Sequence, residues 1–230
     1  MTTDILDADR IVPPEAPWAA IRRRLAGRYP VDPFGLDPQL ADLCTPVFRS
    51  AVRVRVSGGQ HVPATGPAVI VSNRGFGLVE PAALGIAVER ASGRRLRIVG
   101  APDVPVLGTI TRRLGAISSS SPDVTSALRA GHLVGIPLAP TWLRTGAGDA
   151  PLAVARALTV APIIPAAVRG VGFLGGIIGS WEVTFGSMVT LPDPYSADDP
   201  LAAARFTEAM RRAVGALLDM PAAAPPDPTS

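Results

Sequence analysis

Lysine is absent: all 22 basic residues of this 230-residue chain are arginine. That excludes any mechanism needing a lysine amine, the P-loop included. Cysteine is almost absent too. Cys44 has no partner for an internal disulfide, and with two histidines in the chain it cannot build a usual zinc site. A reducing compartment fits. No apolar run reaches the length of about 20 residues that a transmembrane helix needs. The longest candidates, Ala157–Val168 and Val171–Ser180, are broken by prolines and glycines and separated by Arg169. Asp4, Asp7 and Asp9 stand where a signal peptide would have its basic start, so a cytoplasmic location is expected. Charged residues are few, at 18% against 47% hydrophobic, which excludes a disordered chain. The 23 glycines and 25 prolines follow no Gly-X-Y period, which excludes collagen.

A mean hydropathy of +0.30 is high for a freely soluble protein and makes a membrane surface a plausible neighbour. The charge is unevenly placed. Residues 1–52 carry 6 arginines and 7 acids, residues 53–180 carry 13 and 5, and residues 181–230 carry 3 and 7. A basic middle points to phosphate, on a lipid headgroup, a nucleotide-bearing donor or nucleic acid. Nucleic acid is the weakest of these, because the arginines lack the interleaved aromatics of a stacking platform; no nucleic-acid partner is expected.

Three regions follow from the pattern: an N-terminal tail and amphipathic helix at 1–35, an α/β domain at 36–220, and a disordered tail at 221–230. In the first, Trp18, Ile21, Leu25 and Tyr29 fall near helical spacing, with Arg22, Arg23, Arg24 and Arg28 mostly around the other side. Such a helix over residues 15–30 either lies on an anionic membrane or packs on the domain. Within the domain, helices are expected at Asp37–Arg49, Pro81–Arg90, Leu107–Leu114, Asp123–Ala130, Leu152–Leu158 and Asp199–Leu218. Strands are expected at Val52–Val56, Ala68–Val71, Arg95–Val99, Leu133–Leu138, Pro162–Val168, Glu182–Phe185 and Ser187–Thr190. Strands alternating with helices mean an α/β fold.

Gly170-Val-Gly-Phe-Leu-Gly175 matches the dinucleotide fingerprint after a strand, but no helix follows it. About fifty residues remain, too few for the rest of a Rossmann unit, so a glycine-rich loop is the better reading. No Gly-x-Ser-x-Gly elbow accompanies Ser118–Ser121 and His132, which argues against a hydrolase. His132, beside an apolar strand, reads as structural, and His61 has no recognisable partner.

A series of pieces is more specific. Gly58-Gly-Gln-His-Val-Pro-Ala-Thr-Gly-Pro67 runs into Ala68-Val-Ile-Val-Ser-Asn73. Leu114-Gly-Ala-Ile117, Leu128-Arg-Ala-Gly-His-Leu-Val-Gly-Ile-Pro137, Val160-Ala-Pro-Ile-Ile-Pro165 and Val183-Thr-Phe-Gly-Ser-Met-Val-Thr-Leu-Pro192 follow. In this order they resemble the glycerolipid acyltransferase family, the PlsC-like lysophosphatidic acid acyltransferases, over roughly residues 36–218. The resemblance implies an α/β sandwich, a mixed and mostly parallel sheet flanked by helices, with a cleft above Asn73–Glu80.

It also implies a chemistry whose residues have changed. In the family a histidine follows the asparagine matching Asn73, and an aspartate stands five residues beyond the histidine. The histidine takes the proton of an acceptor hydroxyl that attacks an acyl thioester; the aspartate holds the ring. Here those positions are Arg74 and Val79, and a permanently protonated arginine cannot be a base. Glu80 is the remaining candidate, one residue late and so rotated by about 100° on a helix. The family block Phe-Pro-Glu-Gly-Thr-Arg aligns with Ile136-Pro-Leu-Ala-Pro-Thr141, where Pro137 keeps its place and Leu138 replaces the acceptor-binding glutamate. The arginine expected after Ile117 gives way to Ser118–Ser121.

Ligand contacts are therefore expected from Asn73, Arg74, Gly75, Pro137, Leu138, Thr141 and Arg144, with no catalytic residue identified. Arg74, Arg144 and Arg112 or Arg113 either bind a phosphate or are ordinary surface charges. The leading expectation is a peripheral membrane protein that binds phospholipid or an acyl donor, its transfer chemistry lost or impaired. The alternatives are an active transferase moving a fatty acyl group from acyl-CoA or acyl carrier protein to a lysophospholipid or related hydroxyl, and a regulatory pseudoenzyme with a protein partner. No cofactor is expected beyond the thioester donor.

Overall fold

The structure, a computed structural model, describes residues 31–73, 79–100, 105–118, 121–138, 161–173, 178–189 and 200–221, with the single positions Ala19 and Arg22. Its frame is a seven-stranded sheet. In chain order the strands are β1 Val52–Ser57, β2 Ala68–Asn73, β3 Leu96–Val99, β4 Ala116–Ile117, β5 Leu133–Leu138, β6 Ile163–Phe173 and β7 Ile178–Phe185. The helices are α1 Pro38–Ala51, α2 Val79–Ser92, α3 Pro105–Arg113, α4 Ser121–Arg129 and α5 Pro200–Asp219. Across the sheet the order is β1-β7-β6-β2-β5-β3-β4. Every neighbouring pair is parallel except the β6–β7 hairpin, so the expected mixed, mostly parallel sheet flanked by helices is present.

The central strands are buried on both faces, which is why β2 reads as a nearly unbroken apolar run. Alternation sorts their side chains. Val69, Val71, Val134, Ile136 and Leu138 turn toward α4 and α5, where Ala127, Leu128, Phe206, Met210 and Val214 meet them. Ala68, Ile70, Leu133, Ala166 and Val168 turn toward α2 and its Ala83, Leu84, Ala87 and Val88.

Helix α1 starts where the sequence says it should. The buried Asp37 caps it, accepting from Leu40 N at 3.0 Å, and Pro38 fills the first turn, where no N–H is needed. Asp37 N–H also donates to Arg113 O at the end of α3, beside β4. The other end of α1 runs directly into β1 at the opposite edge of the sheet. The helix therefore crosses the fold on the side of α2.

Several expectations are corrected. Gly170–Phe173 is not a loop after β6 but part of it, paired with β7 through Phe173↔Ile178. Gly170 stands opposite Trp181, and a Cβ there would lie 2.4 Å from the indole ring. This glycine exists for a cross-strand aromatic. Of the strand expected at Ser187–Thr190, Ser187 and Met188 are not in a strand, Val189 makes one isolated bridge to Ile163, and Thr190 lies outside the described residues. Helix α2 begins at Val79, ahead of Pro81, since proline is tolerated throughout a first turn. The Asp32 carboxylate accepts from Phe34 N and Leu36 N at 2.9 and 2.8 Å and pairs with the buried Arg97. The expected helix over residues 15–30, apart from the single positions Ala19 and Arg22, the expected helix at Leu152–Leu158, and the tail at 221–230 beyond Pro221 lie outside the described residues. His132 is structural, as expected: it is buried, with its ring edge-on to Phe34 at 5.3 Å.

Candidate functional site

Helices α1 and α2 do not close on each other. Between them and β3 lies a cavity of about 370 Å³, within the ~300–1,000 Å³ range of small-molecule sites. The α1 wall is a helical stripe, Ala41, Cys44, Thr45 and Phe48, at the i, i+3, i+4, i+7 spacing of one face. The α2 wall runs from Glu80 to Glu89, about 14 Å at 1.5 Å per residue. Most of this lining is apolar.

Gly85 stands midway along the α2 wall. A Cβ built there meets nothing within 4 Å. A glycine inside a helix costs about 1 kcal/mol relative to alanine. Here no neighbouring atom requires it, and what it leaves is open space on the cavity side.

Polar groups mark two places along the cavity. The first holds Ser72 and Asn73 at the carboxyl end of β2, Glu80 in the first turn of α2, and Pro137 on β5. A crevice beyond the carboxyl ends of parallel strands is where open α/β sheets bind ligands. Asn73 has a structural duty there. Past Ser72↔Ala166 the backbones of β2 and β6 stop pairing, and the Asn73 amide continues the ladder in their place. Its Nδ2 donates to Val168 O at 2.9 Å, and its Oδ1 accepts from Val168 N at 2.7 Å. It shapes the end of the cavity more than it offers a hand to a ligand.

The second place is a cluster of four charges that ties α1 down. Arg49 of α1 pairs with Glu89 of α2, and Asp42 of α1 pairs with Arg95 just before β3. Glu89, Arg95 and Arg97 all line the cavity. Burial pushes the Glu89 carboxyl above its ordinary 4.5, with Asp42 adding to the rise and Arg49 and Arg95 opposing it.

The expected site residues thus divide. Asn73, Glu80 and Pro137 all line the cavity. Leu138 does not join them: one residue on from Pro137 it turns to the opposite face and is buried against the α4–α5 core. Arg112 is exposed and Arg113 half-buried at the end of α3, and neither lines the cavity. Arg74, Gly75, Thr141 and Arg144 lie outside the described residues, and for Val79 only the backbone, at the start of α2, is described. Sequence reasoning missed Gly85, Cys44, Thr45, Phe48, Glu89 and Arg95. A lone glycine within a helical pattern was a usable signal for the first. The others depend on α1 meeting α2 and β3 across more than thirty residues of chain, which no local pattern shows. Among the described residues no group of His, Cys, Asp and Glu could hold a metal ion, and no helix is long and apolar enough to cross a membrane.

No family model matches the chain. An uncharacterized protein of Mycobacterium tuberculosis is 28% identical over 252 aligned positions, spanning 84% of this chain and 70% of its own length. A second, from Mycobacterium leprae, is 35% identical over 127 positions, 50% of this chain and 35% of its own. Among solved structures, the 1-acyl-sn-glycerophosphate acyltransferase PlsC of Thermotoga maritima overlaps 78% of each chain with a TM-score of 0.46 and 14% identity. That likeness is too loose to carry a functional reading. The chain is thus similar in sequence to mycobacterial proteins of unassigned activity, and only distantly similar in shape to an acyltransferase.

Proposed function

We propose that this protein is a PlsC-like, peripheral membrane protein that holds the acyl chain of a phospholipid or thioester donor, with its transfer chemistry lost or impaired. The observation that carries the reading is the apolar cavity, kept open at Gly85, whose lining includes Asn73, Glu80 and Pro137. These are residues that the family resemblance had already placed at a reaction site. An apolar slot about 14 Å long beside α2 suits a hydrocarbon chain, whose burial yields about 0.8 kcal/mol per methylene. The acyl-CoA or acyl carrier protein thioester would sit toward Glu80, and residues 15–30 would add contact with an anionic membrane.

A test combines binding and turnover on the purified full chain. A fluorescent fatty acid should bind the wild type and lose at least about tenfold in affinity in Gly85→Leu, whose side chain occupies the slot. No labelled acyl group should pass from acyl-CoA or acyl carrier protein to a panel of lysophospholipids while a PlsC-type control enzyme works. Equal binding by wild type and Gly85→Leu would overturn the reading.

One observation favours a second reading, an active transferase. Glu80, despite its one-residue offset, lines the same cavity as Asn73. Its carboxylate would take the proton of the acceptor hydroxyl. The oxygen then attacks the thioester carbonyl, the C–S bond breaks, and the departing thiolate recovers a proton. Turnover abolished by Glu80→Gln would replace the first reading with this one.

A further inference from the structure

One cation of the cavity wall is not used up by its own partner. Arg95 stands just before β3 and lines the cavity, with its side chain 13% exposed. Its Nη2 donates to the Asp42 carboxylate of α1. Its Nη1 is buried and has no hydrogen-bond partner among the described residues. A guanidinium fork matches a carboxylate through two parallel bonds, and Asp42 takes one prong of it. A buried charged donor left unmade is costly, so such a group marks where an acceptor belongs.

The surroundings narrow that acceptor. Glu89, the other acid of the cluster, pairs with Arg49. Burial raises its carboxyl above the ordinary value, which makes it the poorer competitor for a second cation. Arg97, two residues on, also lines the cavity but pairs with Asp32. Leu96 and Ile98 of β3, Cys44 and Phe48 of α1 and Ile86 of α2 line the same space. A ligand there meets a guanidinium prong in a mostly apolar slot. A long-chain carboxylate complements both, the prong through a charge-assisted hydrogen bond and the slot through its methylenes.

We infer that the cavity takes an unesterified fatty acid, its carboxylate accepting from Arg95 Nη1 and its hydrocarbon chain lying between α1 and α2. The inference rests on the lipid reading of the cavity and adds to it a ligand class and an anchoring residue. A thioester carries no charge at its carbonyl and gains less from the guanidinium, so acid and thioester compete for one slot on different terms.

The test is calorimetric binding of dodecanoate, dodecanol and acetate to the purified full chain. Dodecanoate should bind at least about tenfold tighter than dodecanol, the margin of a charge-assisted hydrogen bond. Acetate, which lacks the chain, should bind at least about a hundredfold more weakly than dodecanoate. Arg95→Gln should bring dodecanoate down to the affinity of dodecanol. Because that change also strips Asp42 of its partner, Asp42→Asn is the second variant. It keeps the guanidinium, releases the other prong, and should hold or widen the preference for the acid. Equal affinity for dodecanoate and dodecanol in the wild type would overturn the inference, with water as the acceptor of Nη1, and leave the lipid reading standing. A preference unchanged in Arg95→Gln would overturn it by placing the carboxylate elsewhere. Acetate bound as tightly as dodecanoate would overturn it by showing an anion site with no chain slot. No binding of either dodecanoate or dodecanol would sink the lipid reading itself, and this inference with it.

Discussion

The two faces of the sheet are built from the same kinds of residue and end differently. On the α4–α5 side, Val69, Val71, Val134 and Ile136 meet Leu128, Phe206, Met210 and Val214, all at most 3% exposed. On the other side α2 packs as closely, through Ala83 and Ala87, but α1, tied to it by ion pairs, leaves a cavity behind it. A fold that can fill one face to completion has the means to fill the other. The open face is therefore where binding energy can be spent on a ligand instead of on packing.

Predictions that break this contrast are the largest. Asp32→Ala would leave Arg97, 1% exposed, without its carboxylate and two backbone N–H groups without their acceptor. A loss of about 3–5 kcal/mol is expected by urea unfolding. Met210→Ala on the closed face should cost about 2–5 kcal/mol, because its neighbours cannot collapse into the space. Gly85→Leu on the open face should instead keep or gain up to about 1 kcal/mol while losing ligand. A large stability loss at Gly85 would show that the open face is as tightly packed as the other.

Smaller changes sharpen it. Gly170→Ala puts a methyl group into the Trp181 ring and should cost about 1–3 kcal/mol in thermal unfolding, with nothing changed at the cavity. Glu89 gives the smallest effect, and a pH signature. Its folded-state value lies above the ordinary 4.5, so the folded protein binds its proton more tightly than the unfolded chain does. Its contribution is therefore most favourable below 4.5 and declines as pH rises through the folded value. Glu89→Gln should match wild type in acid and melt slightly higher at neutral pH. A variant that melts lower at neutral pH would show that the Arg49 pair outweighs burial.

Much of the frame was legible in the chain. Strand β5 was read to the residue, because Leu133–Leu138 is a short apolar run between a glycine turn and a proline-rich stretch. Helix α1 was marked by Asp37 and Pro38, a cap and a first-turn proline whose effects are local. The hairpin at Gly170 was not legible. Glycine spacing there mimics a phosphate loop, and the actual cause, the Trp181 ring, arrives eleven residues later from a paired strand. Leu138 faces away from the cavity for a related reason. Motif alignment gives a position along the chain, but the two-residue period of a strand decides which face that position serves.

The sequence by itself determined most of the described helices and strands, their alternation in an α/β fold, and that no histidine stands after Asn73; the mostly parallel sheet was what the family resemblance implied. Those properties rest on local propensity, apolar periodicity and side-chain chemistry. Only the tertiary structure decided that α1 would stand away from α2, and that the Asn73 amide would hydrogen-bond the β6 backbone at Val168. Each depends on contacts between residues distant in the chain, where shape and charge are matched only after the backbone has closed.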